Sequence, residues 1–150
     1  MALAALVLSG VACRGFVFRD SAESGVLELR SADGIYDRWP LGESGVFAVE
    51  FIHSVNMSPI RETFRVRDGL LALESVRFYA FGAGVQSELG EGQVLSRDGD
   101  AMIISGFNVT LPELNLVVGT VPDHILFINN ENINLRERFG TNARLTLRYR

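Results

Sequence analysis

The chain has 150 residues, of which 47% are hydrophobic and 21% are charged, and its formal net charge at pH 7 is −4. This length suits one domain with a core of its own, and the composition argues against disorder. All fourteen cationic residues are arginines, so the chain has no lysine for a Schiff base or a phosphate-binding loop. Nucleic acid is not an expected partner, because the chain is mildly acidic and has no basic block mixed with aromatic residues.

An apolar leader opens the sequence. Residues 1–13 carry no charge, and the run is shorter than the roughly 20 apolar residues that a membrane-spanning helix needs. It matches the apolar part of a signal peptide, although the usual positive residues before that part are missing. Cys13 is the only cysteine, which excludes an intrachain disulfide and makes it a candidate lipidation site. We predict a leader over residues 1–14 and a location outside the cytoplasm, periplasmic or membrane-anchored. An inert terminal segment is the alternative.

Residues 15–150 are predicted to form a single all-β domain. Hydrophobic residues recur with a period of two, which is typical of strands, and turn sequences such as Asp68-Gly69 and Asn129-Asn130 separate them. Only one short helical turn is expected, over residues 135–139. The number and spacing of strands favour an antiparallel sandwich or a partly closed barrel. The expected strands cover residues 26–30, 35–39, 46–53, 60–66, 70–81, 101–104, 114–118, 124–128 and 142–150.

Two polar side chains fall on the apolar face of a predicted hairpin. Because side chains alternate between the faces of a strand, His53 shares a face with Phe51, and Glu62 shares a face with Ile60. A hairpin that pairs His53 with Ile60 makes His53 and Glu62 diagonal neighbours, about 7–8 Å apart. A carboxylate on an apolar face needs a partner. The pair therefore either satisfies itself at the rim of the core or contributes to a ligand or metal site.

A second polar group follows a Val-Pro turn and opens a later strand. Its residues are Asp123 and His124, and one or the other is expected to approach the pocket of His53. The two histidines with Glu62 and Asp123 could fill a zinc shell. No metal-site spacing motif demands this. Ser54 with a histidine and Asp123 forms a serine triad on paper, but the nucleophile-elbow motif is absent.

A glycine-rich stretch over residues 81–92 is the last candidate site. Gly82 and Gly84 resemble half of a dinucleotide-binding fingerprint, but that fingerprint must open a helix and none is predicted here. The glycines fit a structural turn, or a loop whose amides bind an anion. The sequence therefore predicts no cofactor.

Three segments together resemble a known family. They are Phe51-Ile-His-Ser54 with Pro59 and Glu62, Phe81-Gly-Ala-Gly84 with Gly90-Glu-Gly92, and Gly119-Thr120 with Asp123-His124. In this order they resemble a small bacterial family of unknown function, domain number eighteen-fifty, whose genes often lie beside TRAP transporters of the TAXI class. The resemblance implies an accessory role near such a transporter. The residues that it singles out are His53, Glu62, Glu91, Asp123 and His124.

The expected function is a non-catalytic accessory or binding module of the cell envelope. Its expected partner is the membrane subunit of a TAXI-type TRAP transporter or the substrate-binding protein of that transporter, and the leader adds contact with the membrane surface. One alternative is a small metal-dependent or acid–base enzyme that uses His53, Glu62 and His124, which the metal content of the purified protein would reveal. The other is a structural lipoprotein, which loss of membrane attachment in a Cys13→Ser variant would support.

Overall fold

A computed structural model describes residues 25–34, 36–55, 57–81, 88–120 and 123–150. The leader, Cys13, Gly82 and Gly84 lie outside the described residues. The described chain forms, in order, β1 (Val26–Ser31), β2 (Tyr36–Pro40), β3 (Val46–Ile52), β4 (Pro59–Arg67), β5 (Leu70–Phe78), β6 (Val94–Asp98), β7 (Ala101–Ser105), β8 (Thr110–Leu111), β9 (Leu114–Val117), β10 (His124–Ile128), β11 (Glu131–Asn134), α1 (Leu135–Phe139) and β12 (Arg144–Tyr149).

The strands form two antiparallel sheets. The small sheet has the order β2-β1-β12-β9, and the large sheet has the order β11-β10-β3-β4-β5-β7-β6, with β8 also paired to β5. The predicted all-β fold is confirmed, and of its two variants the structure shows two sheets and no closed barrel in the described chain. No helix in the described ranges is long and apolar enough to cross a membrane.

The main core lies between the two sheets. Strand alternation turns Leu27 and Leu29 of β1 towards this core, and both are fully buried. From the large sheet, Phe47 and Phe64 stack with their ring centroids 5.4 Å apart. Burial of these apolar side chains supplies the main favourable free energy of folding. The other fully or nearly fully buried members include Leu71, Val118, Leu126, Leu135, Leu145 and Leu147.

A second apolar cluster extends along the large sheet. It consists of Ile60, Phe78, Met102 and Ile104, with Phe51, Val76 and Phe107 packed against it. Because Ile60 and Phe64 are both on the inner face of β4, the residue midway between them, Glu62, lies where the two clusters meet. The inner face of the large sheet is thus apolar on both sides of one carboxylate.

All nine expected strands and the short helix are present, with boundaries shifted by up to three residues. The structure also contains three strands that the pattern did not predict, β6, β8 and β11. Every residue of β6 is exposed, β11 has the polar sequence ENIN, and β8 has only two residues. None of them has the alternation of buried and exposed positions from which a strand is predicted.

Candidate functional site

The turn between β3 and β4 is shorter than predicted. His53 N donates to Ser58 O at 2.8 Å, and Met57 N donates to His53 O at 2.9 Å, so the two strands are already joined by hydrogen bonds at His53 and Ser58. Pro59 was expected to belong to the loop, but it is the first residue of β4 and lies opposite Ile52. Proline is tolerated at that position because the first residue of a strand does not need to donate a backbone hydrogen bond to the neighbouring strand.

This turn shifts the hairpin register by two residues. Val49 lies opposite Glu62, where the prediction placed Phe51. Since the shift is an even number, His53 and Glu62 keep the predicted shared face. However, His53 is four residues from Val49, roughly 13 Å along the strand. The predicted diagonal contact between His53 and Glu62 is therefore wrong.

The side chain diagonal to His53 is instead His124. Strand β10 pairs with the edge of β3 that does not pair with β4, and there His124 lies opposite Phe51. The His124 side chain therefore points to the same face of the sheet as the His53 side chain. The Phe51 and His124 rings stack with centroids 5.7 Å apart and planes 21° apart. The two histidines thus gather around Phe51 at one end of the large sheet, which we call the histidine end. Of the two residues expected near His53, Asp123 or His124, the strand register brings His124 diagonal to it.

Both histidines accept a backbone hydrogen bond at Nδ1. Val55 N donates to His53 and Gly119 N donates to His124, each over a long distance of 3.4 Å. A neutral imidazole that accepts at Nδ1 carries its proton on Nε2, where it donates hydrogen bonds but does not bind a metal. Metal binding at Nε2 would require both histidines to change tautomer and lose these bonds. In the described chain, no three His, Cys, Asp or Glu side chains are grouped to hold a metal ion.

Asp123 is paired with α1 and not with a histidine. Its Oδ1 lies 2.6 Å from Arg136 Nη2, an ion-pair distance, although that buried oxygen has no well-aligned hydrogen bond from the described residues. Burial lowers the pKa of His124, and the charge of Asp123 opposes this shift. In a serine triad the carboxylate accepts from Nδ1–H, whereas Nδ1 of His124 is itself an acceptor. Ser54 is exposed in the turn, and the geometry gives no support to a triad.

Glu62 is the unusual residue of the inner face. It lies between Val49 on β3 and Val76 on β5, and burial raises the pKa of its carboxyl group. Among the residues that the structure describes, it has no hydrogen-bond or ion-pair partner. A carboxylate desolvated by apolar neighbours destabilises a fold unless something binds it. Packing alone therefore does not explain why a carboxyl group is present at position 62, and this distinguishes Glu62 from the other candidate residues.

Glu91 lies at the opposite end of the large sheet. It is exposed and comes shortly before Val94, which pairs with Ser105 at the end of β7. The intervening chain packs closely there, since the backbone of Gly92 leaves no room for a Cβ atom on Gly106. The structure thus separates Glu91 from the two histidines, with which the resemblance had grouped it.

An exposed apolar group at the histidine end was not among the sites that the sequence analysis identified. Val55 and Met57 in the turn are each 66% exposed, and Tyr79 and Phe81 after β5 are 41% and 50% exposed. Tyr79 lines a small cavity with Pro59, which places it at the base of the turn. We call these four residues the apolar loop patch. The only signal for it was the presence of Val and Met in a tight turn, where polar residues are usual.

A family comparison covers the whole candidate site. The family described as "Domain of unknown function (DUF1850)" matches residues 47–135, which is more than half of the chain and includes both histidines, Glu62 and the apolar loop patch. No curated protein and no solved structure matches the chain. The chain belongs to the DUF1850 family.

Proposed function

We propose that this chain is a non-catalytic binding module of the cell envelope that attaches to a TRAP transporter of the TAXI class. The observation that carries the proposal is the apolar loop patch beside His53 and His124. Exposed apolar side chains with polar neighbours mark protein contact sites, and scattered single exposures do not. Here two of them lie in the turn between β3 and β4, and two follow the end of β5, where Tyr79 shares a cavity with Pro59 at the base of that turn.

The chemistry of the surrounding polar groups favours recognition over turnover. Nδ1 of each histidine accepts a backbone N–H, so each imidazole has the tautomer that donates from Nε2. The lowered pKa of His124 favours its neutral form near pH 7. A histidine Nε2–H donor suits the polar rim of an interface, where such groups fix orientation around an apolar centre.

The identity of the partner rests on the family resemblance. The genes of such proteins often lie beside TAXI-type transporters, which makes the membrane subunit or the substrate-binding protein the proposed contact. This is an inference by association. In the same proposal the domain lies outside the cytoplasm and close to the membrane, which the uncharged leader over residues 1–13 supports.

Affinity purification from cross-linked native membranes tests the proposal. A Val55→Ser/Met57→Ser variant should recover far less of a TRAP subunit, identified by mass spectrometry, than the wild-type chain does. The matched control is Val94→Ser/Val109→Ser, which changes two exposed apolar residues away from the histidine end and should recover as much as wild type. Absence of any TRAP subunit from the wild-type sample, or equal recovery by both variants, would contradict the proposal.

A further inference from the structure

The outer face of the small sheet concentrates positive charge in a chain whose net charge is −4. Alternation along β1, β2 and β12 places five arginines on this face, and a groove of about 730 Å³ runs across it. Two carboxylates, Glu28 and Glu113, also line the groove. We call the five the arginine face: Arg30, Arg38, Arg144, Arg148 and Arg150.

Only some of this charge is neutralised within the chain. Glu28 lies 2.8 Å from Arg38 and 3.3 Å from Arg150, and it is almost fully covered by its neighbours. Arg30 and Arg148 have no ion-pair or hydrogen-bond partner among the described residues. Arg148 lies opposite Glu28 in the register, and Arg30 lies two positions further along β1, so these two arginines are diagonal neighbours. Two uncompensated guanidinium groups therefore stand side by side on an open sheet face.

The leader joins the domain at this sheet. Val26 begins β1, exchanges backbone hydrogen bonds of 2.9 Å with Arg150, and lies opposite Pro40 of β2. Only residues 14–24 separate Gly25 from the uncharged run, and their two arginines, Arg14 and Arg19, are balanced by Asp20 and Glu23. A short segment without net charge therefore connects the apolar run to the sheet that carries the arginine face.

We propose that the arginine face lies against anionic phospholipid headgroups of the membrane that the leader enters. Guanidinium groups bind phosphate oxygens through paired N–H donors. A short apolar anchor holds a protein at a bilayer only marginally, and a basic patch is the usual second contribution. The inference rests on the membrane-side location in the proposed function, but not on its transporter partner. It also concerns residues outside the segment that matches the family.

Vesicle sedimentation with the full chain tests the inference. The probes are vesicles of phosphatidylcholine alone and vesicles in which a quarter of the lipid is phosphatidylglycerol. We expect the wild-type chain to bind the anionic vesicles more strongly than the neutral ones, and we expect this preference to weaken as the salt concentration increases. The Arg30→Gln/Arg148→Gln variant should show a preference that is roughly tenfold smaller. Binding to neutral vesicles, which depends on the leader, should not change.

The matched control is Arg67→Gln/Arg97→Gln, which removes the same charge from the large sheet and should keep the preference. Equal losses in both double variants, or no preference in wild type, would overturn the inference without affecting the transporter proposal. Loss of the preference when inorganic phosphate is added at constant ionic strength would also overturn it, because the face would then be a site for free anions. Unchanged unfolding midpoints of the variants confirm that folding is intact.

Discussion

Glu62 places a carboxylate between Val49 and Val76, and burial raises its pKa above the ordinary value of 4.5. A raised pKa means that folding favours the protonated form, so this contribution to stability is full below pH 4.5 and is lost as pH rises through the folded-state pKa. We expect Glu62→Gln to increase the free energy of unfolding at pH 7 by on the order of 1 kcal/mol, with no gain in acid. Denaturant unfolding of the wild-type chain and the variant, at pH 7 and below pH 4.5, measures this difference in the free energy of unfolding.

Glu74 on β5 provides a control of opposite sign. It accepts from Arg65 at 2.6 Å and from Arg67 at 3.0 Å, and these hydrogen bonds, the one from Arg65 foremost, lower its pKa. Its stabilising effect is therefore present above pH 4.5 and is lost as pH falls through the folded-state pKa. Glu74→Gln should decrease the free energy of unfolding at pH 7 by less than about 1 kcal/mol. Changes of the same sign in the two variants would refute the account of Glu62.

His124 offers a direct test of the electrostatics at the histidine end. Burial lowers its pKa, and the negative charge of Asp123 raises it by a smaller amount. Asp123→Asn removes the opposing charge, so we expect the pKa of His124 to fall further. An NMR titration of the imidazole resonances, assigned with a His124→Gln variant, gives the direction. A rise in the pKa would contradict the stated effect of the Asp123 charge on His124.

At the scale of elements, alternation predicted which segments are strands but not how β3 and β4 align. The apolar positions of β3 and β4 identified the inner face, and an even shift of register leaves that assignment intact. The alignment depends on the turn, where Met57 has a φ of 53°. That left-handed conformation is uncommon for a residue other than glycine, so no turn rule predicts it at methionine. For the same reason the sequence paired His53 with Glu62, two residues out of register.

Within the second apolar cluster, the contribution of each phenylalanine to stability is expected to follow its burial. Phe78 is fully buried within it, while Phe81, whose ring packs edge-on at 5.2 Å, is half exposed. Phe78→Ala should lower the free energy of unfolding by about 3–5 kcal/mol. Phe81→Ala should lower it by no more than about 1.5 kcal/mol, because it loses mainly one ring contact. Similar losses in the two variants, measured by denaturant unfolding, would contradict this expectation.

For the whole molecule, the two candidate surfaces occupy different sheets. The apolar loop patch and the histidines lie at one end of the large sheet, within the family match, and the arginine face lies on the outer side of the small sheet. The sequence identified most of the polar site residues, because histidine and glutamate are conspicuous on an apolar face. It could not identify either surface, since exposure in a turn and neighbours across β1 and β12 depend on tertiary pairing.

Site-specific photo-cross-linking in cells tests the central claim most directly. A photoreactive residue replaces Met57 in the apolar loop patch or, as the control, Val94, which is comparably exposed at the far end of the large sheet. The account predicts a covalent adduct from position 57, but not from position 94, to a TAXI-type TRAP membrane subunit or its substrate-binding protein. Adducts of equal yield from both positions, or none to a transporter protein from position 57, would contradict it.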